Sequence, residues 1–241
     1  MRCRLLIIWL LFSGLCFAQS WEQPLLNAYL TNSMSVWKNY IDSLSNLQQQ
    51  SVQTSNSVSA LTSKILPYEY GYCAALLDTD KDAAKPYVQR FRKHVESAAN
   101  TLPKGHYEMY LSAVYVFELR LHESFHPVKS LGLARDAVKL APNDPLTLTY
   151  CATALFYAPK PFGSKTEALE LFLRAEKLFQ DSKWYNCWWR PAALMYIAQC
   201  YEKQGNTAEA LSRAKSLLKA YPDYAYIRDT YLPALETATL K

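Results

Sequence analysis

From Pro24 onward apolar residues recur every three or four positions with polar residues between them, the period of helices that bury one face. The first such stretch runs from Pro24 to about Gln49, with Trp37, Ile41 and Leu44 on its stripe and Val36, Tyr40 and Leu47 alongside. It ends in the polar run Gln48 to Ser57, whose Gln, Ser, Thr and Asn content predicts a flexible joint. A second helix is predicted from about Asn56 to Leu77, bent where Pro67 removes a backbone donor. A third starts at a cap near Asp80 and runs to Asn100. Leu102, Pro103, Lys104 and Gly105 then break the chain.

Beyond Gly105 the pattern becomes repetitive. Helices are predicted at about 106–122, 127–140, 145–158, 164–180, 189–204 and 207–220, with a last one at about 223–238. They form pairs, and the second member of each pair carries small residues at helical steps. These are Leu131, Ala134, Ala137 and Leu140, then Ala168, Phe172, Ala175 and Leu178, then Ala210, Ala214, Leu217 and Leu218. Small residues at this spacing let a helix approach its neighbour closely. Pro142 and Pro222 stop two of these second helices and set up the next turn.

Composition supports the same class. After residue 18 there are 30 Leu and 27 Ala against 9 Val and 4 Ile, so the apolar content sits in helix formers rather than strand formers. Gly is scarce at 6, which argues against a turn-rich β fold or a Gly-dependent nucleotide-binding sheet, whereas Tyr is abundant at 18. The fold expected is all-α.

The clearest unit runs from Leu194 through Ile197, Ala198, Tyr201, Gly205, Ala210 and Leu211 to Pro222. Its apolar and small pair, Tyr, turn Gly, small Ala and closing Pro resemble the tetratricopeptide repeat family, whose unit is a helix-turn-helix of about 34 residues. Ala214 stands where that family usually has a large residue, and Leu217 where it usually has Ala. The middle unit keeps Ala168, Phe172, Ala175 and Leu178 in register but lengthens its turn with Pro159 to Gly163; the first keeps only its second half, Leu131 to Pro142. The resemblance implies a right-handed α-α superhelix with irregular repeats. It divides the chain into an N-terminal helix and polar joint at 19–55, a degenerate hairpin at 56–104, three repeats at 105–222 and a capping helix at 223–241.

In this family the first helix of each pair lines a concave wall. Carried over by register, the wall candidates are Tyr107, Tyr110 and Val114, then Thr149, Tyr150 and Thr153, then Met195, Gln199 and Glu202. The Tyr enrichment fits a recognition surface, because a phenol offers rigid contact area with a polar tip; packing between helices is the plainer alternative for any single ring.

Two other features offer different chemistry. His122, Glu123 and His126 match H-E-x-x-H, the zinc-peptidase pattern in which two histidines one turn apart hold the metal. Pro127 directly follows and pushes His126 out of helical geometry, and Lys129 stands where the extended motif needs Gly, so a polar turn with Pro127 opening the next helix is expected instead. Trp184, Tyr185, Cys187, Trp188 and Trp189 fill an oversized link between the middle and last units. They predict an aromatic plug, with a carbohydrate platform as the alternative, since exposed rings of this number invite aggregation.

The first residues change the charge balance. Arg2 and Arg4, the apolar run Leu5 to Phe12, and small residues at Cys16 and Ala18 read as a secretory signal peptide ending at Ala18. The run is too short for a membrane span of about 20 residues. Removing residues 1–18 takes away two arginines and no acid, lowering the formal charge from +5 to +3, which gives no case for nucleic acid. Four cysteines remain, Cys73, Cys151, Cys187 and Cys200, widely spaced in apolar surroundings; buried thiols are expected over a bridge, and no Cys-x-x-Cys occurs. The absence of an Asn-x-Ser/Thr acceptor favours a bacterial envelope. The expectation is an exported, non-catalytic scaffold without a cofactor, binding a protein or peptide in the periplasm or outside the cell. Zinc peptidase and carbohydrate-binding functions are the alternatives.

Overall fold

A computed structural model describes residues 22–50 and 55–239, so the expected signal peptide and the centre of the expected joint lie outside the described residues. Every regular element among the described residues is helical. Helix α1 (22–30) is followed by α2 (Met34–Gln50), α3 (Ser55–Thr79), α4 (Lys81–Ser97), α5 (His106–Arg120) and α6 (Pro127–Leu140). Then come α7 (Pro145–Tyr157), α8 (Lys165–Leu178), α9 (Trp189–Lys203), α10 (Thr207–Ala220), and a final helix whose π-helical turn Ile227–Tyr231 leads into α11 (Leu232–Thr239).

The boundaries follow local chemistry. Orphan N–H groups at a helix start need acceptors, and Asp80 supplies one to Ala83 at 3.0 Å, Ser164 one to Glu167 at 3.1 Å, and Asn206 one to Glu209 at 3.2 Å. Asp144 caps two, Leu146 and Thr147, each at 2.9 Å, with Pro145 preset for the first helical position. At the other end Gly205 takes φ +81°, and the amides of Gly205 and Asn206 reach back to the carbonyls of Glu202 and Tyr201. This paired closure favours glycine because it needs a left-handed residue.

One expected helix is two. The stretch from Pro24 to Gln49 breaks at Asn32, where φ is +56° and the amides of Asn32 and Ser33 reach back to Tyr29 and Ala28 at 3.3 and 2.7 Å. Asparagine tolerates this left-handed cap better than most residues, so the apolar period on both sides hid the break. The polar run that predicts a joint is helical up to Gln50 and again from Ser55.

Consecutive helices pack in chain order, and α3 also touches α5, α5 touches α7, and α7 touches α9. First members of successive pairs thus lie side by side, as stacking units with incomplete individual cores require. The small-residue stripes form the seams: Ala134, Ala137, Ala168, Ala175, Ala210 and Ala214 are fully buried, as is Phe172. Leu140, placed on that stripe by period, is 47% exposed because it ends α6.

Charged groups join α2, α3 and α4. Glu69 is buried and accepts from Arg90 Nε at 2.7 Å, and its second oxygen lies 2.8 Å from His94 Nδ1; Arg90 also reaches Asp42 at 3.2 Å. Burial without these partners would be costly.

Candidate functional site

The concave side is partly filled by the chain itself. Trp188 and Trp189 are 8% and 2% exposed. Tyr70 of α3 stacks on Trp189 with centroids 4.9 Å apart and planes 13° apart, while Trp37 of α2 and Tyr29 of α1 meet Trp188 at 5.2 and 5.3 Å. The Trp37 indole N–H donates to the Leu25 carbonyl at 3.0 Å, fastening α1 to α2. Trp188 and Trp189 therefore act as the expected plug, while Tyr185 of the same link is 54% exposed.

The plug leaves a cavity of about 640 Å³ bounded by α1, α2, α3, α7, α9 and the final helix. That volume falls among sites able to enclose a small ligand or a few side chains. Six tyrosines line it: Tyr29, Tyr70, Tyr157, Tyr196, Tyr224 and Tyr226. Tyr29 and Tyr224 hydroxyls are 2.6 Å apart, those of Tyr157 and Tyr196 are 3.2 Å apart, and Gln199 Nε2 donates to Tyr226 at 3.2 Å. Burial first, and then neighbouring phenols, push the hydroxyls of Tyr29 and Tyr196 well above their ordinary range, and Tyr70 moves upward for the same reasons. These phenols stay neutral, each able to give one hydrogen bond and accept others.

The nine wall candidates divide. Thr149, Thr153, Met195 and Gln199 line the cavity, although the Thr149 hydroxyl is already bonded to the Pro145 carbonyl at 2.7 Å. Tyr110, Val114 and Tyr150 do not serve as wall residues, because they are core: they are 1%, 0% and 4% exposed. The Tyr110 ring meets Phe91 edge-on at 5.9 Å, and Tyr150 meets Tyr70 at 5.7 Å while its hydroxyl lies 2.9 Å from Ser112 Oγ. Folding α3 against α5 and α7 converts that part of the wall into interior. Tyr107 and Glu202 are half-buried and lie outside the lining.

Sequence reasoning missed the six lining tyrosines. On α9 the lining stripe is Ala192, Met195, Tyr196 and Gln199 and ends one turn before Glu202; on α7 the stripe Thr149, Thr153 continues one more turn to Tyr157. Helical spacing could have found Tyr157 and Tyr196. Tyr29, Tyr224 and Tyr226 belong to terminal helices outside the repeated pattern, so spacing held no signal for them.

The H-E-x-x-H residues occupy a helix end. Helix α5 stops at Arg120, His122 is left-handed at φ +60°, and the amides of His122 and Glu123 reach back to Leu119 and Glu118 at 3.1 and 2.9 Å. His122 thus plays at α5 the part that Gly205 plays at α9. His126 precedes Pro127 outside helical geometry at φ −129°, and Glu123 pairs with Lys85 at 2.9 Å. The two imidazoles are not presented one turn apart on a helix, and no group of three metal-ligating side chains occurs among the described residues. Cys73, Cys151 and Cys200 are buried and Cys187 is half-buried, all as free thiols; burial pushes Cys151, Cys187 and Cys200 up to about 12. Among the described residues no helix is long and apolar enough to cross a membrane.

The family model of the tetratricopeptide repeat matches residues 192–224, from within α9 through α10 to the start of the final helix. Residues 192–224 match one tetratricopeptide repeat, and the described helices pack in consecutive pairs as an all-α, tetratricopeptide-like solenoid. No curated protein matches it. Among solved structures it is similar to that of YrrB, described as a TPR protein with an unusual peptide-binding site. Identity is 18% over 80% of this chain and 88% of that one, with a TM-score of 0.44, so no residue or ligand is carried across from it. The cavity lies on the side formed by the first helices α3, α7 and α9, and α9, the first helix of the matched pair, contributes five lining residues.

Proposed function

We propose that this protein is a non-catalytic scaffold that binds a peptide segment of another protein in its tyrosine-lined cavity, and that it does so in the periplasm or outside the cell after loss of residues 1–18. One observation carries the reading. Six phenols from five elements converge on one partly open cavity, and Tyr157 and Tyr226 remain 67% and 40% exposed at its edge. Rings with polar tips supply apolar contact and hydrogen bonds together, which is what an extended chain with its own backbone donors and acceptors needs. Repeat stacking holds the lining rigid, which limits the ordering cost of binding. The resemblance of residues 192–224 to a repeat widely used for recognition supports the same reading.

The test pairs binding with location. Peptides enriched from a random display library against the purified chain should lose at least tenfold in affinity when Thr153→Arg and Gln199→Arg fill the cavity with helicity unchanged. Lys177→Glu on the second helix α8 should leave binding intact. Retained affinity in the filled cavity would reject the site. N-terminal sequencing from fractionated cells should find a chain starting at Gln19 outside the cytoplasm; an intact Met1 in the cytoplasm would reject the export claim.

A further inference from the structure

Among the described residues no lysine, arginine or histidine contributes to the lining of the cavity, whereas two carboxylates, Asp78 from the end of α3 and Asp229 from the final helix, do. Asp78 pairs with Arg120 through one oxygen, and Asp229 accepts from its neighbour Arg228 through both oxygens, at 2.7 and 2.8 Å. Neither arginine belongs to the lining. The Asp78 and Asp229 side chains are 73% and 57% exposed, so both retain oxygen surface for another donor. Aromatic rings make up much of the same lining, and ring faces carry negative potential that attracts cations within about 6 Å of the centroid. The phenols among them are held neutral and add hydroxyl oxygens as acceptors.

Charge therefore selects. An entering carboxylate would meet two carboxylates, each already held by an arginine outside the lining, and no cation in the lining itself, and like charges brought together at a docking surface are penalised. An ammonium or guanidinium would find π faces, hydroxyl acceptors and carboxylates. The volume suits a side chain and its flanking residues: a helix with side chains is about 10–12 Å across, so about 640 Å³ holds little more than one turn of it. We infer that the cavity takes the basic side chain, lysine or arginine, of a bound peptide and discriminates against acidic ones.

This rests on the peptide-binding reading, and one experiment separates the two. Octapeptides enriched from a random display library should carry Lys or Arg at one recurrent position. Replacing that residue by Met should weaken binding about tenfold and by Glu further, with the Lys-over-Met preference shrinking in high salt. Asp78→Asn with Asp229→Asn, both exposed positions, should cut that preference several-fold while circular dichroism stays unchanged. Enriched peptides without a basic position, or Glu copies that bind as tightly, would overturn the charge inference while leaving the cavity reading standing, provided Thr153→Arg still blocks them. Peptides indifferent to Thr153→Arg, or no enrichment at all, would overturn both. Free arginine or tetramethylammonium competing at the peptide's own concentration would make this a small-cation site and overturn the peptide assignment.

Discussion

Tyr29 and Tyr224, 195 positions apart in the chain, meet hydroxyl to hydroxyl at 2.6 Å, and their rings tilt against each other at 5.5 Å. The contact ties the first described helix to the last and closes one side of the cavity that both residues line. Tyr224 also donates to Met195 Sδ at 3.3 Å, so the tie reaches α9. A net hydrogen bond is worth about 1 kcal/mol. Tyr29→Phe should cost about that much and Tyr224→Phe somewhat more, since it also removes the bond to Met195; the double variant should cost less than the sum, because both singles delete the shared bond. Additive losses in urea unfolding would contradict the tie.

His122 stands at φ +60° in the position where α9 uses Gly205 at φ +81°. A left-handed conformation costs a residue with a Cβ about 1 kcal/mol relative to glycine. His122→Gly should raise stability by about 0.5–1 kcal/mol in chemical denaturation, and His122→Ala should not. A destabilised His122→Gly chain would mean the imidazole has partners that outweigh the strain.

Asp144 caps α7 and lies 3.3 Å from His106 Nε2. Its burial alone would raise its pKa, but the neighbouring His106 imidazole and the hydrogen bonds from the Thr147 and Leu146 amides outweigh that and hold it below the usual carboxylate value. A carboxyl lowered in the folded state stabilises fully above its unfolded pKa, about 3.9, and loses that contribution as pH falls through the lower folded value. Asp144→Ala should therefore cost about 1–2 kcal/mol between about pH 6 and 8. The gap from the unsubstituted chain should narrow below about pH 4. A gap independent of pH down to about pH 2 would rule out the charged cap.

Two glycines should respond oppositely to alanine. A Cβ on Gly71 would fall 2.1 Å from Trp37 Cζ3 and 2.5 Å from its Cη2, inside the packing that holds the plug. Gly71→Ala should cost about 1–3 kcal/mol and weaken peptide binding, since its ring neighbours line the cavity. Gly132, on the exposed side of α6, has nothing within 4 Å of where a methyl would sit and should gain about 0.5–1 kcal/mol as Ala. Thermal melts of the two variants decide it.

The helices were legible where period, caps and prolines agreed. Pro127 and Thr207 open α6 and α10 where the pattern puts them, and Ala220 closes α10 at the expected residue. Asn32 escaped notice because the apolar period continues across it and only its backbone angle breaks the helix. Four of the nine wall candidates, Thr149, Thr153, Met195 and Gln199, do line the cavity. The rest do not, because register within a repeat says which face points inward but not what later packs on it. Tyr110 and Tyr150 obey the register and are then covered by Phe91 and Tyr70. Tyr29 and Tyr224 reach the cavity through a long-range contact that no local pattern encodes.

Amide hydrogen exchange with and without a peptide enriched against the chain tests the central claim most directly. Added protection should fall on the lining segments, at 70–78 of α3, 149–157 of α7, 192–199 of α9 and 224–230 of the final helix. Protection confined to the second helices α6, α8 and α10, or to the exposed turn carrying Phe125, would place recognition elsewhere and contradict the account.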